Sequence, residues 1–332
     1  MNNKTFTQAK KFLNNISQKD NVAIIYHNDG DGFCSGLILN NFTKTKTHNI
    51  KTFAFINSIS TLKKFKLKKF NKLIVIDVPA KLLKNEIADY TTKQILYIDH
   101  HEKVNLPKQI LYHSTKNDGY IPCSRTAYDL TNNDLLLALI GTIADSGELY
   151  KENKTFVNNT LKKLDITLKN FQQQYVHLFC NTITYFHKNP QKAFNILSNI
   201  SIHNTTKLAK YSNKIEKEIE KTLKKAKTKK ESYGKINIYL IDPKYPVKGI
   251  ISSIVSKEHP NKIHLIISTQ KKFINISARY QSPKANLPKL LEKLTTNLEY
   301  AKTGGHPRAA GGQILKKDLK RFKQNLKELE PQ

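Results

Sequence analysis

Residues 27–36, HNDGDGFCSG, set a histidine and two acids at alternate positions: His27, Asp29 and Asp31. Imidazole and carboxylate together suit divalent ions of borderline hardness. If the backbone stays extended, period-two geometry turns all three toward one pocket. Two acids and a glycine also make an ordinary solvent-exposed turn. Asp77 closes the apolar run LIVID, and the triplet Asp99-His100-His101 ends QILYIDHH. A single acid after a strand is usually a helix cap, but two histidines beside an acid are not explained that way. A carboxylate next to a ligating histidine commonly fixes its tautomer. Asp145 ends an apolar helical run in GTIADSGEL. There it opposes the helix macrodipole unless a cation neutralises it. Glu148, one turn on, is expected to be solvated.

A second group lies near the C-terminal end. In TGGHPRAAGG, small residues surround His306 and Arg308, so the backbone at Gly304 and Gly305 can approach an anion closely while the side chains supply charge or hydrogen bonds. The alternative is a plain glycine-rich loop before a strand. In PCSRTAYDL, Arg125 is a candidate phosphate contact with Ser124 as the helix cap, against the usual exposed position of a helix-start arginine.

The elements that must position these residues follow from hydrophobic patterning. Apolar runs at 22–27, 51–55, 72–77, 94–99 and 109–113 alternate with helical stretches. That pattern implies an α/β fold with a largely parallel N-terminal sheet covered by helices on both faces. Ligand sites of such sheets lie beyond the carboxyl ends of the strands, where the acids and histidines fall. Residues 206–230 read as a Lys-rich connector helix with Leu208, Ile215, Ile219 and Leu223 on one stripe. A smaller α/β pattern follows, with strands at 235–242, 262–269 and 272–280. The expected organisation is a catalytic domain over 1–150, a helical region and connector over 151–232, and a substrate-binding domain over 233–332.

Composition sets outer bounds. The 332 residues carry 56 basic and 26 acidic side chains, a formal charge of +30 that makes a polyanionic partner an expectation. Lys-, Asn- and Ile-rich, Arg-poor usage is also what genomic base composition alone produces. Three cysteines without a CxxC pair give no disulfide framework. No apolar run approaches the roughly 18–20 residues of a membrane span, and the N-terminus lacks a signal-peptide core. The default is a cytoplasmic protein with no membrane association.

HNDGDG, VIDVP, IDHH and GTIADSGEL, in this order, resemble the four motifs of the DHH phosphoesterase superfamily, which contains RecJ-type single-strand exonucleases, nano-RNases and family II pyrophosphatases. SARY and GGHPRAAGG resemble the DHH-associated domain of its nuclease branch. The resemblance implies two divalent ions, Mn2+ first and Mg2+ as the alternative. One would be held by His27, Asp29 and Asp77, the other by Asp31, Asp77, His100 and Asp145, with Asp77 bridging. It also implies that Asp99 orients its neighbouring histidine, that His101 contacts the reacting phosphate, and that Arg279 and His306 grip substrate phosphate with the Gly304 and Gly305 N–H groups. The implied activity is exonucleolytic hydrolysis of single-stranded DNA or RNA by a two-metal, activated-water mechanism, in a groove between the domains. A nano-RNase-like enzyme for dinucleotides, cyclic dinucleotides or phosphoadenosine phosphate is the alternative. The leading His27 departs from the commoner D-x-D motif and is shared with the nano-RNase and pyrophosphatase branches and with some archaeal RecJ-like proteins. A third reading is a non-catalytic nucleic-acid-binding subunit with a replication or repair partner.

Overall fold

The computed structural model describes residues 3–56, 61–200, 204–269 and 272–329. The chain divides into two units, Met1–Ser212 and Asn213–Gln332.

In the first unit five strands, β1 (Val22–His27), β2 (Ile50–Phe55), β3 (Lys72–Ile76), β4 (Gln94–Asp99) and β5 (Ile110–Ser114), form a sheet ordered β2-β1-β3-β4-β5. Every pairing is parallel. Alternation along the strands divides the core in two. Val22, Ile24, Tyr26, Ile74, Ile76, Leu96 and Ile98 pack on one face with the helices Gly30–Lys44, Cys123–Thr131 and Leu135–Ala144. Ala23, Ile25, Leu73, Val75, Ile95 and Tyr97 pack on the other with the helix Ala80–Ile87. A strand buried on both faces must be apolar at every position, which is why these runs are continuous.

Strand order reverses at β1, and the ligand crevice of an open sheet of this kind lies at that switch. Register then levels the strand ends. Tyr26 pairs with Ile76 and Ile76 with Ile98, so His27, Asp77 and Asp99 leave adjacent strands at one height. Residues 151–200, expected to lead into the connector, fold as helices whose Val157, Phe171, Phe179 and Phe194 join the first core. The connector is the helix Ala209–Thr228, with Ile215 buried in its stripe.

The second unit has six strands: β6 (Glu231–Tyr233), β7 (Ile236–Ile241), β8 (Ile263–Thr269), β9 (Phe273–Arg279), β10 (Ala301–His306) and β11 (Ala309–Leu315), ordered β10-β11-β9-β8-β7-β6. Only β7 and β8 are parallel, joined through the helix Lys248–Glu258. Ile238, Leu265, Ile276 and Ala278 pack one face against Leu291, Phe322 and Leu326. The glycine-rich segment is a two-strand hairpin turning at Pro307 and Arg308. Among the described residues no helix is long and apolar enough to cross a membrane.

Candidate metal centre

The first acids do not stay on an extended backbone. β1 ends at His27, Asp29 is the N-cap of the next helix and accepts the Gly32 N–H at 2.9 Å, and Asp31 lies in the first helical turn. The shared face expected from alternate spacing is therefore lost, because helical periodicity begins at Gly30. His27 Nδ1 lies 2.6 Å from Asp29 Oδ2 and 3.9 Å from Asp77 Oδ2. Asp31 turns inward instead, accepting the N–H groups of Cys123 at 2.7 Å and Ser124 at 2.9 Å. It thereby caps the helix Cys123–Thr131 from a distant part of the chain. Ser124 is not the cap: its hydroxyl bonds the Ala138 carbonyl, and Pro122 occupies the N-cap position.

Asp77 follows β3 with φ +63°, a conformation rare for non-glycine residues and rather less so for Asp and Asn. Its backbone N–H stays tied to the Ile98 carbonyl at 3.0 Å. Its Oδ1 lies 3.3 Å from His100 Nε2, which is 3.7 Å from Asp145 Oδ2. Asp145 closes the helix Leu135–Ala144, brought close because a Cβ on Gly30 would sit 2.5 Å from the Ala144 Cβ.

Among the described residues two candidate ligand sets result. His27, Asp29 and Asp77 form one; Asp31, Asp77, His100 and Cys123 form the other, each with ligand atoms within 4.8 Å of one another. Asp77 belongs to both. Asp145 stands beside the second through its approach to His100.

The histidine fixed by Asp99 is His101. Asp99 Oδ1 accepts from the His101 backbone N–H at 3.0 Å and meets His101 Nδ1 at 2.7 Å, while Oδ2 accepts the Ala80 N–H at 3.0 Å. His100 Nδ1 is buried without a hydrogen-bond partner, as is Asp77 Oδ1. Glu148, expected as solvated, is half-buried and accepts a long bond from Gln172 at 3.5 Å.

Electrostatics single out the same residues. Burial, followed by the charges of Asp31, Asp29, Asp145 and Asp99, pushes the Asp77 carboxyl well above the carboxylate range. Burial and then Asp31 push Asp145 up to about 8. Burial lowers His100, keeping its imidazole in the ligand-competent neutral form. At Asp29 desolvation opposes the charge but is outweighed by His27, the Gly32 N–H and Asp77, which hold it at about 2. Carboxylates this close cannot all ionise unless protons or cations share the site. The donor set of carboxylates and neutral imidazole, with Asp77 Oδ1 and His100 Nδ1 buried without a hydrogen-bond partner, fits divalent cations.

Two residues at this centre carried no sequence signal of their own. The Tyr120 hydroxyl donates to Asp145 Oδ2 at 2.7 Å, with its ring edge-on to His100 at 5.2 Å. Cys123 joins a ligand set although its spacing matches no metal motif. Arg125 pairs with Asp129 at 3.0 Å and lies 4.3 Å over the Phe156 ring, neither of them a member of the candidate ligand sets.

In the second unit, register aligns Arg279, Ala309 and the His306 backbone in one cross-strand row, Ala278, Ala310 and Gly305 in the next, and Ser277, Gly311 and Gly304 in the one after. The His306 side chain lies outside the described residues. Nothing lies within 4 Å of a Cβ built on Gly304, whereas at Gly305, φ +132°, a Cβ would meet the Ala309 oxygen at 2.5 Å. Arg308 is exposed at the turn. Burial lowers Arg279, and burial followed by the charge of Arg279 lowers Lys248 to about 8. Lys248, which opens the Lys248–Glu258 helix, was not singled out by the sequence.

Residues 242–330 match the DHHA1 domain family. Among solved structures, the chain is similar to RecJ in complex with Mn2+ from Thermus thermophilus (TM-score 0.73, 15% identity), covering 98% of this chain and 54% of that one. It spans about half the length of that protein. It is also similar to CDC45 from Entamoeba histolytica (TM-score 0.61, 11% identity, 99% of each chain). A third likeness is to the pGpG-specific phosphodiesterase PggH from Vibrio cholerae (TM-score 0.55, 14% identity, 92% of this chain and 98% of that one). No curated protein matches the chain by sequence. Residues 242–330 thus match the DHHA1 domain family, and the chain as a whole shares the fold of these solved structures.

Proposed function

We propose that the chain is a metal-dependent phosphodiesterase that hydrolyses single-stranded DNA or RNA from an end. The observation that carries this reading is Asp77, which belongs to both ligand sets and so can join two cations. His27 and Asp29 would complete one site, and Asp31, His100 and Asp145 the other, with Mn2+ the first candidate ion, as in the similar RecJ structure. Bound cations would supply an activated water near neutral pH and stabilise charge on the phosphoryl and leaving oxygens. The side chains do the positioning. Asp99 holds His101 by Nδ1, leaving Nε2 as the ring nitrogen available to a phosphate oxygen. Asp31 and Tyr120 fix the centre to neighbouring loops, and Arg279 with the Gly304–Gly305 backbone would bind a further phosphate.

The second reading keeps this chemistry on dinucleotides or other short nucleotides. It is supported by His27 in the first candidate ligand set, 2.6 Å from Asp29, because a leading histidine is shared with the small-substrate branches as well as with some archaeal RecJ-like proteins. A non-catalytic subunit is disfavoured by the full acid and histidine set. The test is a Mn2+-supplemented panel of end-labelled DNA and RNA from two to about thirty nucleotides, with Asp77→Asn alongside. Hydrolysis dependent on metal and on Asp77 is expected. No cleavage at any length, or cleavage indifferent to chelator and to Asp77, would overturn the reading.

A further inference from the structure

Beside the metal centre lies an aromatic surface that the chemistry above does not use. Tyr120 and Tyr150 are stacked, ring centroids 4.2 Å apart at 17° between planes. Tyr120 is anchored by its hydroxyl bond to Asp145, so the stack is keyed to a carboxylate of the centre. The loop carrying Tyr120 is fixed as well. The fully buried Asn153 donates from one amide nitrogen to the Tyr120 carbonyl at 2.8 Å and the Gly147 carbonyl at 2.9 Å. Gly119 holds φ +103°, a backbone conformation that L side chains rarely adopt, with the Glu152 side chain beside it.

On this rigid support Tyr150 is 43% exposed and Leu149 73% exposed. Both follow Asp145 within five residues, and both rank among the few large apolar side chains that the described residues leave in water. An exposed aromatic ring seated over a buttressed one, next to a site built for phosphate, has the parts of a base-stacking platform.

We propose that Tyr150 is the surface on which a nucleobase of the substrate stacks while its phosphodiester is held at the metal centre. This rests on the phosphodiesterase reading and adds base recognition to it. Stacking accepts any base by its π-face and favours the larger purine ring, so the selectivity is graded: purine over pyrimidine over an abasic residue.

The test uses the full chain with Mn2+ and trinucleotides whose terminal residue, at either end, is adenosine or an abasic analogue. For the wild type, the specificity constant for the adenosine form should exceed that for the abasic form by about tenfold. Tyr150→Ala should bring this ratio close to one, and Tyr150→Phe, which keeps the ring, should preserve it. Circular dichroism checks that each variant is folded. A wild-type ratio near one, or an undiminished ratio in Tyr150→Ala, overturns the proposal while leaving the phosphodiesterase reading intact. If no trinucleotide is cut, that reading fails, and stacking is read from quenching of a terminal 2-aminopurine. Quenching retained by Tyr150→Phe and lost by Tyr150→Ala sustains the platform; no quenching in the wild type overturns it.

Discussion

Asp31 reaches across 92 residues to accept the Cys123 N–H at 2.7 Å, and takes the Ser124 N–H at 2.9 Å with its other oxygen. One carboxylate therefore belongs to a candidate metal-ligand set and caps a helix. Asp31→Ala should destabilise the metal-free protein, since losing two charge-assisted bonds to buried donors, at roughly 1.5–3 kcal/mol each, outweighs relief of repulsion in the cluster. Urea denaturation with chelator present measures it, and unchanged stability would count against the capping role.

Asp77→Asn should act in the opposite direction. Asparagine tolerates the left-handed conformation at φ +63° and is neutral without the proton that burial, Asp31 and Asp29 force onto the Asp77 carboxyl on folding. Metal-free stability should rise by about 1 kcal/mol while Mn2+ affinity collapses, since breaking a shared ligand weakens both sites. Asp77→Ala keeps the electrostatic gain but adds backbone strain of about 1 kcal/mol or more, and should melt lower than Asp77→Asn.

Asp145 gives the metal-free protein a signed pH dependence. Its carboxyl, raised to about 8 from 3.8, holds a proton in the folded state that the unfolded chain releases at lower pH. Between those limits the native state binds more protons, so stability falls as pH rises from about 4 to 8. Denaturation at pH 5 and pH 8 in chelator should show the loss, and saturating Mn2+ should abolish it. A flat metal-free profile would contradict the crowding of charge at this centre.

In the second unit Arg279→Ala should return the Lys248 ammonium upward from about 8, because the charge of Arg279 adds to burial in depressing it. The pH profile of Lys248 reactivity toward an amine reagent reads this directly. Oligonucleotide affinity should drop about tenfold through loss of a charge-assisted phosphate contact, with Mn2+ affinity unaltered.

The hairpin offers a paired control. Gly305→Ala forces a Cβ into the Ala309 carbonyl at φ +132° and should cost about 2 kcal/mol or more. Gly304→Ala, with open space around its Cβ, should stay within about 0.5 kcal/mol of wild type in thermal melts.

Much of the fold could be read from apolar runs, because strands buried on both faces admit few polar residues. The expected strand limits at 22–27 and 94–99 coincide with β1 and β4, whereas 72–77 overshoots β3 by Asp77, whose left-handed backbone no pattern discloses. β10 was hidden because Gly304 and Gly305 carry no strand signal; its pairing with β11 supplies the structure. The acids and histidines were visible by residue type, yet their grouping was not. Helix onset at Gly30 separates Asp29 from Asp31, and only the fold shows that Asp99 grips His101. Tyr120 and Lys248 act through neighbours far away in sequence, Asp145 and Arg279, and nothing local marks them.

The level strand ends have a metrical meaning. His27, Asp77 and Asp99 leave adjacent parallel strands, which lie about 4.8 Å apart in any sheet. Paired ions in two-metal hydrolases stand about 3.5–4 Å apart. The hydrogen-bond ladder would thus serve as the ruler that spaces the proposed ligands. A slip of one rung between β1 and β3 would displace Asp77 from both ligand sets at once, while leaving most of the apolar core able to repack.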